Sequence, residues 1–175
     1  MVPTSPQRLT NRPQKITVTH SEEAYKEVLI ININFIKLTE DAKAPFKATQ
    51  EAACFDVFVN EDALINPGKT VLVGTGIAMA IPQGYHAKLL VRSSTGVKTP
   101  LRLANLVGII DSDYRGEIKM PLWNPSNEPF RVFKGDRLCQ ILIEQNIDVA
   151  FKEVKKLSQT KRGVGGFGST NRKEN

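Results

Sequence analysis

The feature that most constrains the fold is a pattern of punctuation. Short runs of strand-forming residues recur at intervals of roughly ten residues, each closed by a turn signal. The runs are "IININFIKL", "CFDVFV", "TVLVGTGIAMAI", "HAKLLV", "NLVGIID", "GEIKMPLW", "FRVF" and "RLCQILIE". Between them stand "NPGK", "PQGY", "SDYRGE", "NPSNEP" and "KGD", which are rich in the residues that favour turns. No long helical period appears. Two short stretches could form helix: "SEEAYKEV" near the start and "SSTGVKTPL" after Arg92. The pattern predicts an all-β sandwich, barrel or jelly roll. Pro121, inside a strand-like run, requires an edge or a bulge, because proline cannot donate to a ladder.

The 175 residues, 41% of them hydrophobic, suit one domain with a substantial core. No apolar run is long enough to span a bilayer. The N-terminal "MVPTSPQRLTNRPQK" lacks the apolar stretch of a secretory signal, although its arginines leave a transit peptide open. A cytoplasmic protein is the expectation. Cys54 and Cys139 lie far apart in apolar surroundings, which favours buried free thiols over a disulfide. With only His20 and His86, a multi-histidine zinc site is excluded and a Ser-His-Asp triad disfavoured. Chemistry must therefore rest on carboxylates, arginines and a metal carried by the substrate.

The net charge of +6 is uneven. Residues 150–175 carry +5 and residues 1–15 carry +3, so the body between them is slightly acidic. Such tails either aid solubility or meet an anionic ligand. The expected division is an N-terminal extension over 1–28, expected to be flexible, a β domain over 29–158, and a glycine-rich C-terminal arm over 159–175.

That arm contains "RGVGGFGSTN", with four glycines between Gly163 and Gly168. Composition alone fits a frayed tail. It fits equally a phosphate-binding arm, with Arg162 as a bidentate cation, backbone N–H groups at close approach, and Phe167 to lie on a base. It is not a Walker loop, since no Gly-Lys-Ser/Thr follows. Further inside, "GIIDSDYRGEI" reads as a tight hairpin with Asp111 at the end of a buried strand and Tyr114 on the loop. "VRSSTG" offers Arg92, Ser93 and Ser94, either to cradle phosphate or to cap a helix with one of the serines. "GDRLCQIL" sets Arg137 and Gln140 in an apolar run, where a glutamine needs a hydrogen-bond partner or a ligand.

Taken together and in this order, these segments resemble the five motifs of the trimeric dUTPase family. They are "AACFDVFV" with Asp56, "VRSSTG", "NLVGIIDSDYRG", "GDRLCQ" and "RGVGGFGST". The resemblance covers about residues 33–171. Cys54, Val91, Ser94 and Cys139 depart from the family's usual glycine, proline, glycine and alanine, which touches local packing more than activity.

The resemblance implies a distorted jelly-roll-like β-barrel subunit with one short helix, assembled as a homotrimer. It also implies hydrolysis of dUTP to dUMP and pyrophosphate with Mg²⁺. Asp111 would orient the attacking water. Tyr114 would pack under the sugar and exclude a 2′-hydroxyl. Asn105, Gly108, Ile109, Ile110 and Lys119 would hold uracil. Arg92, Ser93, Ser94 and Gln140 would grip the α- and β-phosphates. Arg162, Gly168 and Ser169 belong to the arm that closes on the γ-phosphate, while Phe167 covers the base. Asp56 would either touch a water of the Mg²⁺ or fix Arg92 by an ion pair. The expected partners are dUTP and further copies of the chain, without a membrane and without stable nucleic-acid binding.

Three rival readings stand beside this one. A dCTP deaminase on the same fold needs a glutamate five residues after the hairpin glycine, and Pro121 occupies that position. A catalytically idle scaffold is disfavoured by the presence of all five motifs. A nucleic-acid binder fits the basic charge but lacks interleaved basic and aromatic residues.

Overall fold

Two antiparallel sheets enclose one hydrophobic core in a computed structural model of the chain, which describes residues 14–20 and 24–167. The first sheet runs in the order β3 (Asn34–Lys37), β6 (Thr70–Ala80), β10 (Glu117–Trp123) and β8 (Arg102–Leu103). The second runs β4 (Phe55–Val57), β12 (Cys139–Gln145), β7 (Tyr85–Val91) and β9 (Gly108–Ile110). A two-stranded ribbon, β5 (Ala63–Ile65) with β11 (Phe130–Val132), lies beside them. One six-residue helix, α1 (Ser93–Lys98), follows β7. This is the all-β, jelly-roll-like architecture that the spacing of turns predicted.

Period-two alternation explains the inner faces. In β10, Ile118, Met120 and Leu122 are buried while Lys119 and Trp123 are exposed. In β7 and β12, Ala87, Leu89, Cys139 and Ile141 turn inward. With Val57, Val73, Ile77, Leu103 and Ile110 they form a single core cluster. Each such side chain contributes roughly 1.5–3 kcal/mol on leaving water. β6 departs from alternation: its central residues from Val73 to Met79 are all buried.

Pro121 obeys the rule set for it. Its carbonyl accepts from the Ala104 N–H just past the end of β8, so its own ring nitrogen faces a side where β8 has stopped. A register shift between Glu117 and Lys119 adds a bulge in the same strand. Two sequence expectations are corrected. Ala24–Ile30 is a strand, β2, paired with β1 (Gln14–His20), and not a helix. The alternating "QKITVTH" supplies it with a partner, and pairing overrides a weak local helical tendency. The run "IININFIKL" is not one strand: Ile30 ends β2, and strand resumes only over β3. Both cysteines are free; Cys139 is buried and Cys54 is half-buried. Burial pushes the Cys139 thiol up to about 12.

Asn124 ends β10 on a polar core. Its amide donates to the carbonyls of Ile65 at 2.9 Å and Glu128 at 2.8 Å. Its oxygen accepts from the N–H of Ser126 at 3.1 Å and from the Ser126 hydroxyl at 2.7 Å. The residue is fully buried, so truncation strands several polar groups away from water. Asn124→Ala should lower the unfolding free energy by about 2–4 kcal/mol. Urea titration followed by the neighbouring Trp123, the only tryptophan, measures it. A loss below about 0.5 kcal/mol would show that the network carries no weight.

Candidate active site

The strand β9 and the strand β10 are joined by residues 111–116. Asp111 and Tyr114 close the turn through a 3.2 Å bond from the Tyr114 N–H to the Asp111 carbonyl. Arg115 braces it by donating to the carbonyls of Ser112 at 2.7 Å and Tyr114 at 2.8 Å. The two strands belong to different sheets, so the hairpin bridges the sandwich and opens a cavity beside it. This cavity, of about 330 Å³, is lined by Asn105, Gly108, Ile109, Ile110, Asp111, Tyr114 and Lys119, with Leu72, Leu89, Glu117, Ile118 and Pro121. All seven hairpin-region residues singled out from the sequence therefore share one concavity.

Local backbone aims them. Leu106 takes a left-handed φ of 63°, uncommon for leucine, in the turn that delivers Asn105. Gly108 permits close packing, since a Cβ there would lie 3.2 Å from Leu89 Cβ and 3.5 Å from the Asn105 amide nitrogen. Asp111 is exposed, and among the described residues its carboxylate makes no ion pair. Because β9 is the outer strand of its sheet, one row of its backbone groups is free to meet a ligand.

A second group forms around Asp56, on the other side of β7. Asp56 is only 5% exposed. Its Oδ1 pairs with Arg92 Nε at 2.8 Å and its Oδ2 with Arg137 Nη1 at 3.1 Å. Arg92 Nη1 also donates to the Arg137 carbonyl at 2.8 Å. The Arg92 N–H donates to the Leu138 carbonyl at 3.0 Å, and the Thr95 hydroxyl donates to the same oxygen at 2.8 Å. Gln140 stands opposite Asp56 in register and is half-buried. Ser93 and Ser94 open α1. The capping expectation is corrected: the cap position is Arg92, and no side chain caps the helix. The Arg137 partnership was missed in the sequence, where Arg137 stood out only as a charge in an apolar run.

The third group stands apart. Arg162 Nε donates to the Gly165 carbonyl of its own arm at 2.7 Å. Phe167 is fully exposed, and neither residue lines the cavity. Gly168 and Ser169 lie outside the described residues. Among the described residues no cluster of three or more His, Cys, Asp or Glu side chains could hold a metal ion. Both Asp56 oxygens face guanidinium groups, so the geometry favours arginine fixing over contact with a metal-bound water.

A family model described as dUTPase matches residues 40–171. The chain belongs to the dUTPase family. The deoxyuridine 5′-triphosphate nucleotidohydrolase of Nautilia profundicola is 46% identical over 134 residues, covering 77% of this chain and 94% of that protein. Among solved structures, a Staphylococcus bacteriophage 80alpha dUTPase mutant with dUpNHpp superposes with a TM-score of 0.74 at 24% identity, over 79% of this chain and 98% of that one. A mutant dUTPase from phage phi11 of S. aureus, described with a structural Mg(II) ion, gives 0.67 at 23% identity over 71% and 97%. The structural likenesses bear out the fold. No helix among the described residues is long and apolar enough to cross a membrane.

The arginine pair makes a stability prediction. Asp56→Asn leaves two guanidinium groups facing a neutral amide, and removing one partner from a buried pair is costly. Since Arg137 is partly exposed, the expected loss is about 2–3 kcal/mol in urea unfolding. An unchanged midpoint would show that Asp56 does not hold the arginines.

Proposed function

We propose that this dUTPase-family chain hydrolyses dUTP to dUMP and pyrophosphate by attack of water on the α-phosphorus. The reaction limits uracil in DNA and supplies dUMP for thymidylate synthesis. The observation that carries the proposal is the position of Asp111, a carboxylate without an ion pair among the described residues, in a cavity of nucleoside size that is also lined by the outer strand β9. A carboxylate can accept the proton of water as the oxygen attacks. Uracil offers acceptor, donor and acceptor in sequence, which suits alternating backbone N–H and C=O groups of an outer strand. Cytosine reverses part of that pattern, and a slot closed around C5 of the base would refuse the methyl group of thymine. Tyr114, beside Asp111, would lie under the sugar.

Arg92, Ser93, Ser94 and Gln140 are assigned to the α- and β-phosphates, and Arg162, Gly168 and Ser169 to the γ-phosphate. Guanidinium groups suit this because they stay charged and present paired donors. Mg²⁺ is carried in by the triphosphate, whose oxygens and waters satisfy it, and it neutralises phosphate charge. The chain's own part is to place Asp111, hold the arginines rigid and cover the base with Phe167.

Within one chain the cavity, the Asp56–Arg92 group and the arm are separate. That separation supports a homotrimer in which one chain supplies the hairpin, a second the Arg92 group and a third the arm. Ile147, Val149, Phe151 and Leu157 are strongly exposed in the single chain, as expected of side chains that an assembly covers. A cytoplasmic setting fits a nucleotide substrate. Residues 1–28 are proposed to be an extension outside the catalytic body, which begins ahead of β3, the strand paired with β6.

Pyrophosphate release from dUTP, dCTP, dTTP and UTP, with and without Mg²⁺, should show turnover of dUTP alone and dependence on the metal. Ammonia release from dCTP would favour the deaminase instead. Asp111→Asn keeps the shape and removes the base, so kcat should fall roughly 10²-fold or more while dUTP still binds. Near-native kcat in that variant would exclude Asp111 as the base.

A further inference from the structure

Tyr114 is not free on the hairpin. Its hydroxyl donates to the Glu117 carbonyl at 3.1 Å, which folds the ring back over Gly116. A Cβ built on Gly116 would lie 2.6 Å from the ring Cζ and 3.0 Å from Cε2, well inside van der Waals contact. Gly116 is not among the residues with positive φ, so its backbone does not call for glycine. The space above it is what calls for glycine, because the ring fills it. Glu117 is fastened in turn. Its Oε1 accepts from the Gly76 N–H of β6 at 2.9 Å, and its Oε2 lies 3.5 Å from Lys119 Nζ. The anchor sits at the bulge where the β6–β10 register shifts, and bulges re-aim neighbouring side chains.

The geometry points to Gly116 and Glu117 as positioning residues that set the Tyr114 ring against the cavity and thereby specify a 2′-deoxy sugar over ribose. This rests on the reading of Tyr114 as the group that meets the sugar. Glycine at 116 lets the ring lie flat along the hairpin. The side chain of Glu117 holds its own carbonyl, the ring's hydrogen-bond acceptor, at a fixed distance from β6. A methyl group at 116 would push the phenol end of the ring outward without straining the backbone, so the variant should still fold.

The test is a double-mutant cycle. Gly116→Ala should lower the dUTP-to-UTP ratio of kcat/KM about tenfold, chiefly through a raised KM for dUTP. In a Tyr114→Ala background, which itself loses discrimination, the same substitution should change the ratio less than about twofold. Glu117→Ala should act like Gly116→Ala, and Glu117→Gln should restore most of the ratio, because its amide oxygen still accepts from Gly76. The chain has three tyrosines. With 3-fluorotyrosine incorporated, the ¹⁹F resonance of Tyr114, assigned by its loss in Tyr114→Phe, should move in Gly116→Ala without nucleotide. An equal effect of Gly116→Ala with and without the Tyr114 ring would overturn the inference. So would a moved resonance with an unchanged ratio, or an unmoved resonance. If the wild-type protein fails to hydrolyse dUTP, the functional reading falls separately, and the fluorine shift still decides whether the two residues place the ring.

Discussion

A carboxylate withdrawn from water must find cations, and Asp56 finds two. At 5% exposure its isolated charge would cost several kcal/mol, so Arg92 and Arg137 are not interchangeable surface charges. Satisfying Asp56 fixes Arg92 at the junction of β7 and α1, and it fixes Arg137 at the entrance to β12. The Leu138 carbonyl, shared by the Arg92 N–H and the Thr95 hydroxyl, locks the helix to the same strand. One ionic contact thus ties β4, β7, α1 and β12 together. The same contact fixes the position of the Arg92 guanidinium in the single chain, which is the preorganisation that the proposed phosphate contact would use.

On the other side of β7, a different constraint acts. β9 pairs with β7 by only three residues and then crosses, through the Asp111 turn, into the opposite sheet. The crossing leaves an outer strand with free backbone groups and a carboxylate at its end. The Glu117 contact to β6 and the Tyr114 contact to Glu117 then hold the turn in place. Here a hairpin that could have been a plain connection becomes one wall of a cavity.

Much of this was legible in the sequence, for physical reasons. Strand-forming runs closed by turn residues are local signals, so β6, β7, β10 and β12 stood out. β5 and β8 did not, because "ALI" is flanked directly by acidic and turn residues and β8 is only two residues long. "SEEAYKEV" looked helical because its own residues favour helix, and pairing with the adjacent "QKITVTH" decided the matter. The motif residues of the hairpin line one cavity. Glu117 was overlooked because its role depends on reaching β6, 41 residues away in sequence. Arg137 was noticed as a charge but not matched to Asp56, since nothing local joins residues 81 apart. The family was legible from the order of five motifs, and it is borne out by the match over residues 40–171. What a single chain cannot spell out is how the separated groups meet, because in the proposed trimer that is a property of the assembly.

The central claim is that hairpin and arm at each working cleft come from different chains. Two variants test it: Asp111→Asn with its arm intact, and a chain truncated after Lys161 with Asp111 intact. Each alone should be nearly inactive. Co-refolded in equal amounts, about a quarter of all clefts should regain activity, those where a truncated chain gives the hairpin and the other variant gives the arm. Proven mixed trimers whose activity stays at the level of the separate variants would contradict the shared site.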